Sequence, residues 1–277
     1  MKKLIKKIFP EPRTRLQKFK GRILAAFYLN RCPLCATRKL SAINSNYLYY
    51  HLYCKTCDLA FVGNMPKFHE VVNKYQESYL PSRYEHLNIK NNKDEEWVGW
   101  QNSRNGYLER LGIAKLESEA PPPRRVLEIG CAEGKQMEVF INRDWEAVGI
   151  EIGEPMAEIG RQRGLNILCG EFQEDTFPDN YFDMVIMSHV IEHLLDPVRT
   201  LNICNNILKS TGWLVLETPS IPNYQDTDHM FFFTQSSLDK ICKKTDFNIL
   251  EHFFQQINKN DVTLCNYLAA YEKSTGI

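Results

Sequence analysis

Apolar positions fall into two alternating rhythms over the second half of this chain. Short apolar runs at residues 126–129, 147–151, 167–169, 183–188 and 213–217 predict strands buried on both faces. Between them lie stretches with helix punctuation. Pro155 suits a first helical turn, Gly164 closes that helix, and Asp196-Pro197 opens another in a segment that Gly212 ends. Two further strand-like runs cover 249–254 and 262–270. This alternation predicts an α/β fold with a doubly wound parallel sheet over residues 124–277. Upstream, 65–112 is polar and helical in character, with Trp97, Trp100, Tyr107, Leu108 and Leu111 spaced for one apolar stripe. Pro121-Pro122-Pro123 then reads as a stiff link into the first strand, completing a connecting segment over 65–123. Tyr47, Leu48, Tyr49, Tyr50, Leu52 and Tyr53 supply strand-forming side chains nearer the amino terminus. They read as cover for a module too small to build its own core, ahead of a role in stacking bases.

Cysteine spacing changes the picture at that end. Cys32-Pro-Leu-Cys35 and Cys54-Lys-Thr-Cys57 form two knuckles with 18 residues between them, the pattern of a four-thiolate zinc ribbon over 32–64. Such a site has no open coordination position, so it is structural and its Zn2+ does no chemistry. The other five cysteines are scattered, which argues against a disulfide framework and for a reducing, cytoplasmic compartment. Formal net charge is zero, yet residues 1–31 hold ten Lys or Arg against the single acid Glu11. This basic arm is either a solvated tail or a peripheral contact with an anionic inner-membrane surface. The apolar run at 23–29 is too short to span a bilayer and lacks a cleavage signal, so neither a signal peptide nor a transmembrane helix is expected.

The chemistry concentrates where the first long apolar strand ends. Val126-Leu-Glu-Ile-Gly-Cys-Ala-Glu-Gly134 is a strand breaking into a loop, with Gly130 for a sharp turn and Gly134 for close helix packing. A dinucleotide fold wants a glycine where Ala132 stands. The acid Glu128 would repel a pyrophosphate but suits an ammonium group. Glu151, ending the next strand, offers two acceptor oxygens to a ribose diol. A ribose and an amino acid together point to S-adenosyl-L-methionine.

The segments 126–134 and 148–151, with Phe182-Asp183-Met184-Val185 and Val190-Ile-Glu-His-Leu-x-Asp-Pro197, resemble the successive motifs of class I S-adenosylmethionine-dependent methyltransferases. The resemblance covers roughly the last 160 residues and implies a Rossmann-like sheet. It also implies that Glu128 meets the methionine end and that Gly130, Cys131, Ala132 and Gly134 wrap the cofactor. Glu151 and Ile152 would hold the ribose, Glu171 and Phe172 would border the adenine, and Ser188 and His189 would face the methyl group. Residues 54–66, with the tyrosine-bearing segment to Tyr84, resemble the zinc-ribbon leader of bacterial methyltransferases acting on nucleotide-linked sugars and glycan precursors. In those enzymes the leader helps build the acceptor pocket. The chain departs from them at Asp58, where glycine is frequent, and at Gly63.

Methyl transfer from a sulfonium is an in-line displacement, so the protein aligns the acceptor and takes its proton. Candidate catalytic groups are His229, His189 and Glu192, with His193, Tyr224 and Asp228 nearby in sequence. Asp228-His229 resembles a shortened His-Glu-His pattern of sugar C-methyltransferases, whose second half is missing. The expected acceptor is a small glycosyl or nucleotide-sugar precursor, with O-methylation ahead of C- or N-methylation. Alternatives are a zinc-ribbon RNA methyltransferase, disfavoured because the basic residues sit in a tail, and a non-catalytic cofactor-binding scaffold. His189-Val-Ile-Glu192-His193 also matches an inverted zinc-protease pattern, which is read as accidental because it starts at a strand end.

Overall fold

The computed structural model describes residues 30–46, 48–77, 95–220, 226–259 and 262–274. The basic arm, Tyr224 and the segment to Tyr84 beyond residue 77 lie outside them. Strands β1 (Ser41–Ser45), β2 (Tyr50–Cys54) and β3 (Leu59–Val62) lead into helices α1 (Phe68–Glu77), α2 (Glu95–Arg110) and α3 (Ile113–Glu119). There follow β4 (Arg124–Ile129), α4 (Lys135–Ile141), β5 (Trp145–Glu151), α5 (Glu154–Gln162), β6 (Ile167–Cys169) and β7 (Phe182–Ser188). A 3-10 turn (Ile191–His193) precedes α6 (Pro197–Ile207), β8 (Leu208–Pro219), β9 (Phe231–Phe232), α7 (Gln235–Lys244), β10 (Phe247–Lys259) and β11 (Val262–Lys273).

Seven strands form one sheet in the order β10-β11-β8-β7-β4-β5-β6, parallel from β8 to β6, with β11 antiparallel to β8. This is the expected α/β, Rossmann-like class I methyltransferase architecture. The central strands are buried almost throughout because helices cover both faces, which is why they read as continuous apolar runs. One polar group inside them, Asp183, is satisfied by the backbone N–H of Arg125 and by Lys209. Helix starts follow local chemistry. Asp196 caps α6 by accepting from the Arg199 amide at 2.9 Å, and Thr234 and Ser237 form a reciprocal cap on α7. Gly212 differs from expectation: α6 stops at Ile207 and Gly212 lies inside β8, where the chain passes straight from helix to sheet.

The cysteine-bearing strands make a second, antiparallel sheet in the order β1-β2-β3-β9. Its last strand comes from beyond β8, so the sheet crosses the expected boundary at residue 64. Val62 N–H donates to Met230 O at 2.9 Å, and Thr234 Oγ1 donates to Asp58 O at 3.0 Å. Leu59, Phe61 and Val62 belong to the same apolar core as Leu127, Val185 and Leu216 of the large sheet. The ribbon thus shares a core with the larger domain, as a unit of its size requires. Tyr49 and Leu52 pack on that core and Tyr53 Oη donates to Asp58, the covering role expected for these side chains. Among the described residues no helix is long and apolar enough to cross a membrane.

Candidate active site

A cavity of about 390 Å³ opens at the carboxyl ends of β4, β5 and β7, within the ~300–1,000 Å³ range of small-ligand pockets. It lies where the chain order reverses between β4 and β7, the place a doubly wound sheet leaves a crevice. Gly130 makes this possible. Its φ is +69°, and an added Cβ would stand 2.5 Å from Val190 Cγ2, across the loop that follows β7. Glu151 is buried at the end of β5, where Oε2 accepts from Ala132 N–H at 2.9 Å and Oε1 from Gly153 N–H at 2.7 Å. Those two backbone amides fix the carboxylate at the cavity, where its oxygens are acceptors suited to ligand hydroxyls.

Of the residues singled out from sequence, Gly130, Ala132, Glu151, Ile152, Glu171, Phe172 and His189 line the cavity. Others do not. Glu128 is buried just behind the lining residues Ile129 and Gly130. The Cys131 thiol lies against Gly149, where an added Cβ would come within 2.5 Å of Sγ, and burial pushes its pKa up. Gly134 serves packing instead: φ is +76° and a Cβ would sit 2.4 Å from Leu165 Cδ1. Ser188 lines a separate small hollow and donates its hydroxyl to Glu217 Oε2 at 2.5 Å. Glu192 and His229 stand behind the wall formed by His189, His193 and Asp228.

That wall carries a continuous polar chain. Arg104 of α2 is ion-paired with the buried Glu217, which also accepts from Asn266 Nδ2 at 2.9 Å. Glu217 Oε1 lies 3.6 Å from His189 Nε2, and His189 Nδ1 lies 3.4 Å from Glu192 Oε1. Burial pulls the His189 pKa down, but contacts with Glu192 and Glu217 outweigh it and raise it to about 9. His189 is therefore charged at neutral pH. Burial would raise the Glu217 carboxyl, yet His189, Arg104 and Ser188 hold it well below the usual range. His193 differs from His189 because burial dominates and lowers its pKa to about 4, so its imidazole is neutral. Its Nδ1 sits 2.9 Å from the Asp228 backbone oxygen, which fixes Nδ1 as the protonated nitrogen. The His229 ring centroid is 4.8 Å from that of His193.

Helix α1 closes the cavity from the ribbon side. Phe68, Val71 and Tyr75 line it, Gln76 Nε2 donates to Ile152 O at 3.0 Å, and Lys74 is ion-paired with Asp228. The resemblance implies a pocket role for the leader segment that contains α1 without singling out these side chains, and sequence reasoning missed Arg104, Glu217 and Asn266 as site residues. Glu217 carries the one usable signal, an acid ending an apolar run just as Glu128 and Glu151 do.

In the ribbon, one Sγ from each of Cys32, Cys35, Cys54 and Cys57 falls within 4.8 Å of the others. Cys35 Sγ and Cys54 Sγ are 3.7 Å apart. A tetrahedron with ~2.3 Å metal–sulfur bonds has edges of ~3.8 Å, so the four thiols fit one divalent metal. The knuckles mirror each other: Ala36 N–H donates to Cys32 O and Asp58 N–H to Cys54 O, both at 2.8 Å. Ala36 (φ +57°) and Asp58 (φ +58°) both sit in the left-handed region, which explains why glycine suits position 58.

A family model described as a methyltransferase domain matches residues 101–252. An uncharacterized protein of Methanocaldococcus jannaschii is 25% identical over 130 residues, covering 47% of this chain and 60% of that protein. The chain thus spans less than two thirds of that relative's length. A ubiquinone biosynthesis O-methyltransferase of Hydrogenovibrio crunogenus is 23% identical over 210 residues, covering 61% of this chain and 85% of that enzyme. A SAM-dependent methyltransferase from Archaeoglobus fulgidus superposes with a TM-score of 0.52 at 20% identity, over 64% of this chain and 94% of that one. Motif order, sheet order, the crevice at the strand ends and the family match converge: the chain belongs to the methyltransferase-domain family and is built as a class I S-adenosylmethionine-dependent methyltransferase.

Proposed function

We propose that the protein moves a methyl group from S-adenosyl-L-methionine to a hydroxyl of a small sugar, nucleotide-sugar or glycan precursor. One observation carries this reading. The cofactor loops and the polar wall of His189, His193 and Asp228 face one cavity, closed by a helix that follows the ribbon. Donor and acceptor then share one space, and alignment supplies much of the rate. The donor brings an activated sulfonium methyl; the protein supplies placement and proton handling. Glu151 holds the ribose, with Ile152, Glu171 and Phe172 around the adenosine. His189, charged, suits an anionic group of the acceptor or the oxygen that gains charge as its proton leaves. Proton removal falls to His193 and Asp228 of the same wall, backed by His229 and Glu192. Methyl transfer to oxygen accords with the O-methyltransferase among the relatives.

In this reading the ribbon holds Zn2+, the enzyme works in the cytoplasm, and the basic residues 1–31 give it a peripheral hold on the inner membrane surface. The test is incubation with methyl-labelled S-adenosylmethionine and a cell extract, followed by fractionation. Label in acid-soluble sugars or lipid-linked glycans is expected. Label confined to RNA, or none in any fraction, overturns the proposal.

A further inference from the structure

The sequence pattern His189-x-x-Glu192-His193 does not form a protease helix, but the structure gives its last two residues a third partner. Glu192, His193 and His229 each place one ligand-capable atom within 4.8 Å of the other two. Glu192 is 1% exposed, and its Oε2 accepts from Thr218 Oγ1 at 3.1 Å. Its Oε1 is buried and makes no hydrogen bond among the described residues. Two imidazole nitrogens face Oε1, His189 Nδ1 at 3.4 Å and His193 Nε2 at 4.0 Å. A buried carboxylate oxygen with no hydrogen bond keeps acceptor capacity beyond its ion pair with the cationic His189, and a coordinated cation would use it. His193 is arranged as a metal ligand usually is: Nδ1 is committed to a backbone oxygen, so Nε2 carries a lone pair toward Glu192. Asp226 Oδ2 stands 3.7 Å from His229 Nε2 and can orient that ring.

We infer that Glu192, His193 and His229 form a binding site for a divalent transition-metal cation, separate from the cysteine ribbon and set in the cavity wall. Two imidazoles and one carboxylate are the donor set that zinc, iron, cobalt and manganese accept with positions left open. Drawing the three atoms onto one ion requires side-chain movements of about 1 Å, since ligand bonds are ~2.0–2.2 Å long. His193 and Asp228 line the cavity, so the open positions face the bound acceptor. A sugar's neighbouring hydroxyls are a fitting ligand for them, and a cation there would lower a hydroxyl's pKa and leave Asp228 to take the proton. That role rests on the proposed acceptor; the binding site itself does not.

The experiment uses full-length protein with its ribbon preloaded with zinc and Co2+ as the probe, in equilibrium dialysis without methyl donor or acceptor. One Co2+ per chain is expected beyond the ribbon zinc, with X-ray absorption showing nitrogen and oxygen neighbours and no sulfur. Glu192→Gln and His229→Gln should each weaken it by tenfold or more while retaining the ribbon zinc. Binding unchanged in both variants, sulfur in the cobalt shell, or no second equivalent at millimolar Co2+ would overturn the inference. If a variant fails to fold, the stoichiometry and absorption spectrum of the unaltered protein still decide it. Because methyl transfer is not read, a failed acceptor assay leaves this result standing, and the reverse holds as well.

Discussion

Glu151 shows how one side chain joins fold and function. Its two oxygens are pinned by the Ala132 and Gly153 amides, so it arrives at the cavity already oriented. Glu151→Ala should weaken S-adenosylmethionine binding by ~1.5–3 kcal/mol, the worth of hydrogen bonds to a charged group, or roughly 10- to 150-fold. Calorimetric titration checks it, and unchanged affinity would reject the assignment. Gly130 makes a second residue-scale prediction. A side chain there meets both a left-handed φ and the Val190 methyl at 2.5 Å. Gly130→Ala should therefore cost ~1–3 kcal/mol in denaturant unfolding, since strain and overpacking act together. The strand-loop-helix pattern singled out Gly130, Gly134 and Glu128 of the first motif and Glu151 of the second. The division of labour between the glycines was not legible there: Gly130 shapes the cavity, whereas Gly134 only lets Leu165 approach, and nothing local separates the two.

At the scale of elements, the informative feature is a strand borrowed across the chain. β9 begins two residues after His229 and completes the ribbon sheet, so a metal bound at the four cysteines would also hold the loop that carries Asp228 and His229. Cys57→Ser, or stripping of the ribbon metal by a chelator, should speed amide exchange at Leu59–Val62 and at Phe231–Phe232 together. The amides of β4 and β5 should stay protected, because their pairing lies in the other sheet. Exchange that rises in β3 alone would mean that the two parts are not coupled. The element list itself was readable: each of the five predicted parallel strands is present, and 167–169 matches in full. The predicted end at Gly212 failed because a glycine near a helix end cannot be told from one inside an exposed strand turn without the pairing partner.

For the molecule as a whole, the ion pairs that tie α2 and α3 to the sheet give stability a pH dependence. Glu117 of α3 accepts from Arg143 at 2.6 and 2.9 Å and from Trp145 Nε1 at 3.0 Å. Burial would raise its pKa, but Arg143 and Trp145 lower it below the ordinary carboxylate value. A depressed folded pKa contributes stability above the unfolded value, ~4.3, and that contribution is lost as pH falls through the folded one. Glu117→Gln should therefore lower stability at neutral pH and flatten its decline below about pH 4.3. Urea midpoints measured across that range would show it; parallel curves for the two proteins would contradict it.

Taken by itself, the sequence determined the strands and motifs of the class I sheet, the cofactor loops with Glu151, and the four-cysteine knuckles, because each is written in a periodicity or spacing within about thirty residues of chain. Tertiary structure alone decided the rest. It brought Phe231 and Phe232 to the ribbon across roughly 170 residues, laid α1 over the cavity, and joined Arg104, Glu217 and Asn266 behind His189. It also turned His189 cationic while leaving His193 neutral only four positions away. The physical reason is common to these cases: a side chain's charge and role follow from which groups surround it, and strand order sets that neighbourhood where local periodicity does not.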